Sequence, residues 1–146
     1  MKRTKIIQAF VELFKRIDGT QEYKANLYNN VEGKLVFWDE VKEYPLVCMT
    51  AGSETREYQP GNFKWGYLQV NIRIYVKDDD AKTQLENIFS DIEMLLDANN
   101  SLRIGDNEED ICTDIRILSI SDDEGLLRPH GVGEITVQVQ YPVGMN

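Results

Sequence analysis

A chain of 146 residues with 42% hydrophobic and 28% charged residues has the size and mix of one folded domain, which excludes intrinsic disorder and any need for disulfide staples. The net charge of −9, from 25 acidic against 16 basic residues, argues against a grip on nucleic acid, which needs clustered Lys and Arg to neutralise phosphates. The two cysteines, Cys48 and Cys112, sit in apolar or β-like runs and fit a reducing cytoplasm; no run approaches the roughly 20 apolar residues of a membrane span, and the opening amphipathic pattern predicts no export signal.

Along the chain, Ile6, Phe10, Leu13 and Ile17 recur at helical spacing, so a first helix is expected from Lys2 to Ile17, stopped by Gly19. Thr20 to Gly33 is polar and takes no assignment. Lys34 to Trp38 and Leu46 to Thr50, rich in β-formers, are expected as two short neighbouring strands. Ala51 to Gly66, with Gly52, Pro60 and Gly61 among mixed charges, is expected as the longest loop or a hairpin extension.

Tyr67 to Lys77 alternates through Leu68, Val70, Ile72, Ile74 and Val76 and is the clearest strand. Asp78-Asp79-Asp80 precedes a second helix, where an acid caps the amino-terminal end and complements its dipole. Leu85, Ile88, Phe89, Ile92, Leu95 and Leu96 trace a broad apolar stripe ending near Asn99-Asn100. Asp114 to Ile120 and Gly133 to Tyr141 read as the last two strands. The expected fold is a single α+β domain over residues 1–146, a mainly antiparallel β-sheet with two α-helices packed on one face.

No chemistry stands out. The only histidine, His130, has no neighbouring Cys or second His, and a structural or surface role is expected in place of a metal site. The acidic clusters Asp78–Asp80, Glu108–Asp110 and Asp122–Glu124 match no cation-binding loop and read as a helix cap and two solvated turns. Nucleophile elbows, Cys-x-x-Cys pairs and phosphate loops are absent from the sequence, so no catalytic residue, metal or cofactor is assigned.

Core filling and interface anchoring are the better readings of the aromatic and basic mixture of Trp38, Arg56, Tyr58, Phe63, Lys64 and Trp65, of which Arg56, Tyr58, Phe63, Lys64 and Trp65 form one candidate interface. A second candidate interface lies in Ser121 to Gly131, where Asp122, Asp123 and Glu124 precede Leu126, Leu127, Arg128 and His130. Two adjacent leucines in a polar loop either tuck into the domain's own core or pack against a neighbouring subunit.

The opening helix, Phe37-Trp38-Asp39, Tyr44-Pro45-Leu46-Val47, the Leu68 to Val76 strand, the Leu85-Glu86 to Asp91-Ile92 helix and the closing Val139-Gln140-Tyr141 together resemble the tail terminator proteins of tailed bacteriophages. The resemblance spans nearly the whole chain as an order of elements. It implies a structural virion protein assembled in the host cytoplasm: a ring, commonly a homohexamer, at the head-proximal end of the tail. The implied partners are other copies of the chain, the tail tube protein and a head-connector or neck protein, with DNA passing through the lumen without specific binding and no membrane contact. Another neck or head-completion protein, or a small metal-dependent hydrolase using His130 and the scattered carboxylates, are the alternative readings.

Overall fold

The computed structural model describes residues 2–20 and 22–143. Helix α1 spans Lys2–Phe14; strand β1, Val31–Glu32, is followed by a 3-10 turn at Trp38–Glu40, then by β2 (Leu46–Gln59), β3 (Phe63–Lys77), helix α2 (Ala81–Ala98), β4 (Asp114–Asp122) and β5 (His130–Pro142). The five strands form one sheet in the order β1-β2-β3-β5-β4. Every pairing is antiparallel except the short parallel contact that sets Val31 beside Val47. The chain is therefore the expected α+β fold.

Alternation along β3 and β5 decides which face is covered. Leu68, Val70, Ile72 and Ile74 of β3 and Ile135, Val137 and Val139 of β5 are all buried, together with Ile6, Phe10 and Phe14 of α1 and Leu85, Ile88 and Ile92 of α2. Both helices thus share one apolar cluster on one side of the sheet, as their stripes predict. Burying that much apolar side chain, at roughly 1.5–3 kcal/mol each for a Val, Leu, Ile or Phe, is the main source of stability. Close packing is enforced by absent side chains: a Cβ at Gly133 would stand 2.6 Å from the Phe89 ring.

Asp80 caps α2 by accepting a bond from the Thr83 N–H at 3.3 Å, the role the acidic run predicts. Within α2, Asp91 is 1% exposed. Its carboxylate accepts bonds from the backbone N–H groups of Lys24 and Ala25 at 3.0 and 2.8 Å. One helix side chain thereby holds down the polar segment left unassigned by pattern.

Three sequence expectations are corrected. Lys34 to Trp38 is not a strand: Tyr75 donates its hydroxyl to the Val36 carbonyl at 2.6 Å, which draws Val36 onto the uncovered sheet face and leaves Phe37 and Trp38 exposed. The second expected short strand, Leu46 to Thr50, is only the start of the fourteen-residue β2, and its other neighbour is β1. Ala51 to Gly66 is accordingly a hairpin extension with its turn at Pro60–Asn62. Finally, the Glu108–Asp110 turn is not wholly solvated. The Asp110 side chain is 5% exposed and faces Lys2 and Lys5 at 3.9 and 3.8 Å, tying the start of α1 to the α2–β4 connection.

Two ends of one long strand

β3 is fifteen residues long, roughly 45 Å at about 3.3 Å per residue. The two sequence-predicted groups of interface residues lie at its opposite ends. At one end, β5 stops at Trp65, which pairs with Pro142, while β2 and β3 run on together to the Gln59–Phe63 pair. The last residues of the hairpin therefore stand as a two-stranded arm past the rest of the sheet. Phe63 and Trp65 stack edge to face at 4.9 Å on one side of this arm. On the other, the Lys64 ammonium lies 5.5 Å from the centre of the Tyr58 ring, which is 73% exposed.

An isolated two-stranded hairpin is marginal in water, and this arm has a buried anchor at its base. The Glu54 side chain is 4% exposed and ion-paired with Arg56. It also accepts a bond from the Tyr141 hydroxyl at 2.7 Å. Gly66 leaves room for that tyrosine, because a Cβ there would meet the ring at 2.9 Å. Arg56 is therefore an anchor of the arm as much as a surface residue.

At the other end, Lys77 pairs with His130, and the turn from β4 to β5 is knotted by its acids. Asp123 accepts bonds from the N–H groups of Leu127 and Val132, both at 3.0 Å. Asp122 pairs with Lys82 of α2, and that ammonium holds the Asp122 carboxyl below the usual carboxylate range. Glu124 adopts φ 57° ahead of Gly125 at φ 84°. This acidic run is a set of side-chain clasps that projects the leucines outward: Leu126 is 85% exposed and Leu127 52%. Of the two readings of the leucine pair, tucking into the domain's own core is excluded; Arg128 is exposed beside them.

Leu127 and His130 form one wall of an apolar groove of about 520 Å³, completed by Trp38, Tyr44, Tyr75 and Val132. The His130 ring meets the Trp38 and Tyr44 rings edge-on at 6.4 and 5.7 Å, so the histidine's neighbours are aromatic. Both cis X-Pro bonds, Tyr44–Pro45 and Arg128–Pro129, flank the groove. Arg73, which also lines the groove, donates through Nε to Glu134 at 3.0 Å. Trp38, which the sequence groups with the aromatics of the arm, lies instead in this groove at the other end of the sheet, and Tyr44 carries no contact signal of its own in the sequence. The local sequence signal for this corner is the adjacent aromatic pair Phe37-Trp38 close to Tyr44-Pro45.

Among the described residues no three His, Cys, Asp or Glu side chains converge as metal ligands do. Cys112 is enclosed by apolar atoms, which push its thiol up to about 12, and burial raises Cys48 as well; neither is an activated nucleophile. What the two ends offer is shape, exposed aromatic and aliphatic surface, and charge, the chemistry of protein contact.

Comparison with known proteins points the same way. Residues 1–145 match the family described as Bacteriophage Tail Tube Terminator Protein. The chain is 38% identical over 149 residues to the tail tube terminator protein p142 of Escherichia phage T5, covering 95% of this chain and 92% of that one. In fold it is similar to a chain from the virion of a native gene transfer agent particle, with a TM-score of 0.55 at 8% identity, covering 92% of this chain and 96% of that one. That family is structural, which sets aside the hydrolase alternative and identifies the chain as a non-enzymatic protein. With a family match along its length and a close relative covered nearly end to end, the chain belongs to the tail tube terminator proteins of bacteriophages.

Proposed function

We propose that copies of this chain close into a ring, of the six-fold kind that the family resemblance implies, on the head-proximal end of a completed tail tube. There the ring stops further polymerisation and presents the attachment surface for a head connector. The observation that supports this is the separation of two unlike contact surfaces, the hairpin arm and the aromatic groove, by the length of β3. A protein inserted between two different partners needs two such surfaces facing opposite ways. In this reading one end engages the tube and the other the connector.

Work of this kind is mechanical. Paired strands underlie both contact surfaces, β3 with β2 at the arm and β3 with β5 at the groove, and exposed aromatic side chains supply contact area at low entropic cost. The net charge of −9 gives every copy a surface that repels phosphate, so DNA passes the ring without adhering. Retention of double-stranded DNA in a mobility shift at low salt contradicts that part of the reading.

Surface variants of each end, Tyr58→Ala with Phe63→Ala in the arm and Trp38→Ala with Leu127→Ala in the groove, test the division of labour. One pair is expected to lose capping of tubes while the other caps tubes but fails to join heads. Both pairs losing the same step, or neither losing any, is incompatible with two separate contact surfaces.

A further inference from the structure

Among the described residues neither edge of the sheet carries a further full-length strand; on the β2 edge the Arg3 guanidinium of α1 donates to the Gly52 carbonyl at 2.6 Å. β1 covers β2 only at Val47 and Cys48, so from Met49 to Gln59 the outer edge of β2 has no strand beside it among the described residues. β4 has no strand on its outer edge among the described residues. Open edges are templates for pairing with another chain, and two further features of these edges are complementary.

Beside β2, on the helix side of the sheet, runs a groove of about 850 Å³ between α1 and the strand, lined by Ile7 and Val11 of the helix and Thr50 and Ala51 of β2, with Arg3 and Glu12 at its rim. On the opposite edge, Leu118 and Ile120 of β4 are 55% and 42% exposed. Ile120 opposes the core residue Ile135 and so belongs to the same helix-covered side as the groove.

Their heights match. Ser119 pairs with Thr136, Thr136 with Asn71 and Asn71 with Thr50; one step along, Ile120 leads through Ile135 and Ile72 to Met49. Ile120 on one edge and the groove on the other therefore sit at the same level of the sheet, with Leu118 in the β4 bulge two residues away. Strand directions match as well. Three antiparallel pairings separate β2 from β4, so the two edges run in opposite senses, and a neighbour's β4 laid beside β2 continues the antiparallel alternation.

From this complementarity we infer that a second copy of the chain docks its β4 against the outer edge of β2, seating Leu118 and Ile120 in the groove beside α1. The inference rests on the ring reading above and deepens it, since rotation about an axis parallel to the strands carries one edge to the next without changing height. The contact is heterologous, so it propagates from copy to copy and closes when the rotation fits. It also uses backbone and apolar groups, which suits copies that each carry a net charge of −9 and gain little from facing one another through charged side chains.

The test measures solution mass by light scattering, alone and with tail tubes, for the wild type and for the double variant Leu118→Asp with Ile120→Asp. The expected result is an assembling wild type and a variant that keeps its circular dichroism but loses the assembled mass. A variant that assembles like the wild type overturns this inference and leaves the ring intact; a wild type that never assembles overturns both. Should the variant fail to fold, the pair Val11→Cys with Ile120→Cys decides. Mild oxidation of the assembled protein is expected to link neighbouring copies through it, with the buried Cys48 and Cys112 silent, and an assembled but unlinked protein refutes the docking.

Discussion

The hydroxyl of Tyr141 donates to the carboxylate of Glu54 at 2.7 Å, joining the last strand of the sheet to the root of the hairpin arm. Removing the donor leaves a carboxylate that is 4% exposed at its side chain with Arg56 as its remaining clasp. Tyr141→Phe keeps the ring and its packing against Gly66, so the lost bond accounts for the effect. A destabilisation of about 1–3 kcal/mol is expected in urea unfolding, as a lower midpoint with an unchanged slope.

Asp91 offers a parallel case on the helix side. Its two bonds to the Lys24 and Ala25 N–H groups have a charged acceptor and are worth roughly 1.5–3 kcal/mol each. Asp91→Ala is expected to speed amide exchange at Lys24 and Ala25 far more than at β3. Unchanged protection of those two amides sinks the assignment of Asp91 as the anchor of this segment.

The buried thiols set a pH dependence at the alkaline end. Folding raises the Cys112 pKa from the ordinary 9.0 to about 12, so the folded state holds a proton that the unfolded state releases. The associated stability is fully present below pH 9 and is lost as pH rises toward 12. Below that window both Cys48 and Cys112 are expected to resist iodoacetamide until the chain is unfolded, as followed by mass spectrometry; rapid labelling of the folded protein at pH 8 runs against this.

At the helix–sheet contact, Gly133→Ala places a methyl 2.6 Å from the Phe89 ring. Overpacking of this kind costs about 1–3 kcal/mol, read as a lower melting temperature. Pairing it with Phe89→Leu, which frees space at the ring, is expected to recover part of the loss relative to the sum of the two single variants.

How far the sequence went depended on burial. Leu68 to Val76 and Leu85 to Leu96 read clearly because each has one face in the core, and periodicity records that. The outer half of β2, Gly-Ser-Glu-Thr-Arg-Glu-Tyr-Gln from Gly52, has no such record: its side chains are almost all polar, and its strand character comes from pairing with β3. Lys34 to Trp38 misled for the converse reason. It is apolar because Val36 covers the second sheet face while Phe37 and Trp38 remain exposed.

The candidate interfaces were half legible. Two leucines in an acidic loop, and aromatics interleaved with Arg56 and Lys64, are local anomalies that a sequence displays. The groove is not local: Trp38, Tyr44, Tyr75 and His130 come from separate parts of the chain and meet only because β3 and β5 pair Lys77 with His130. Nor does spacing reveal that the two groups sit at opposite ends of one strand.

The most direct test of the central claim is electron microscopy of tail tubes polymerised with and without the purified protein. The account predicts a ring on one end of each tube and no further growth when fresh tube protein is added. Tubes that keep lengthening with the protein present, or that carry no density at their ends, contradict it.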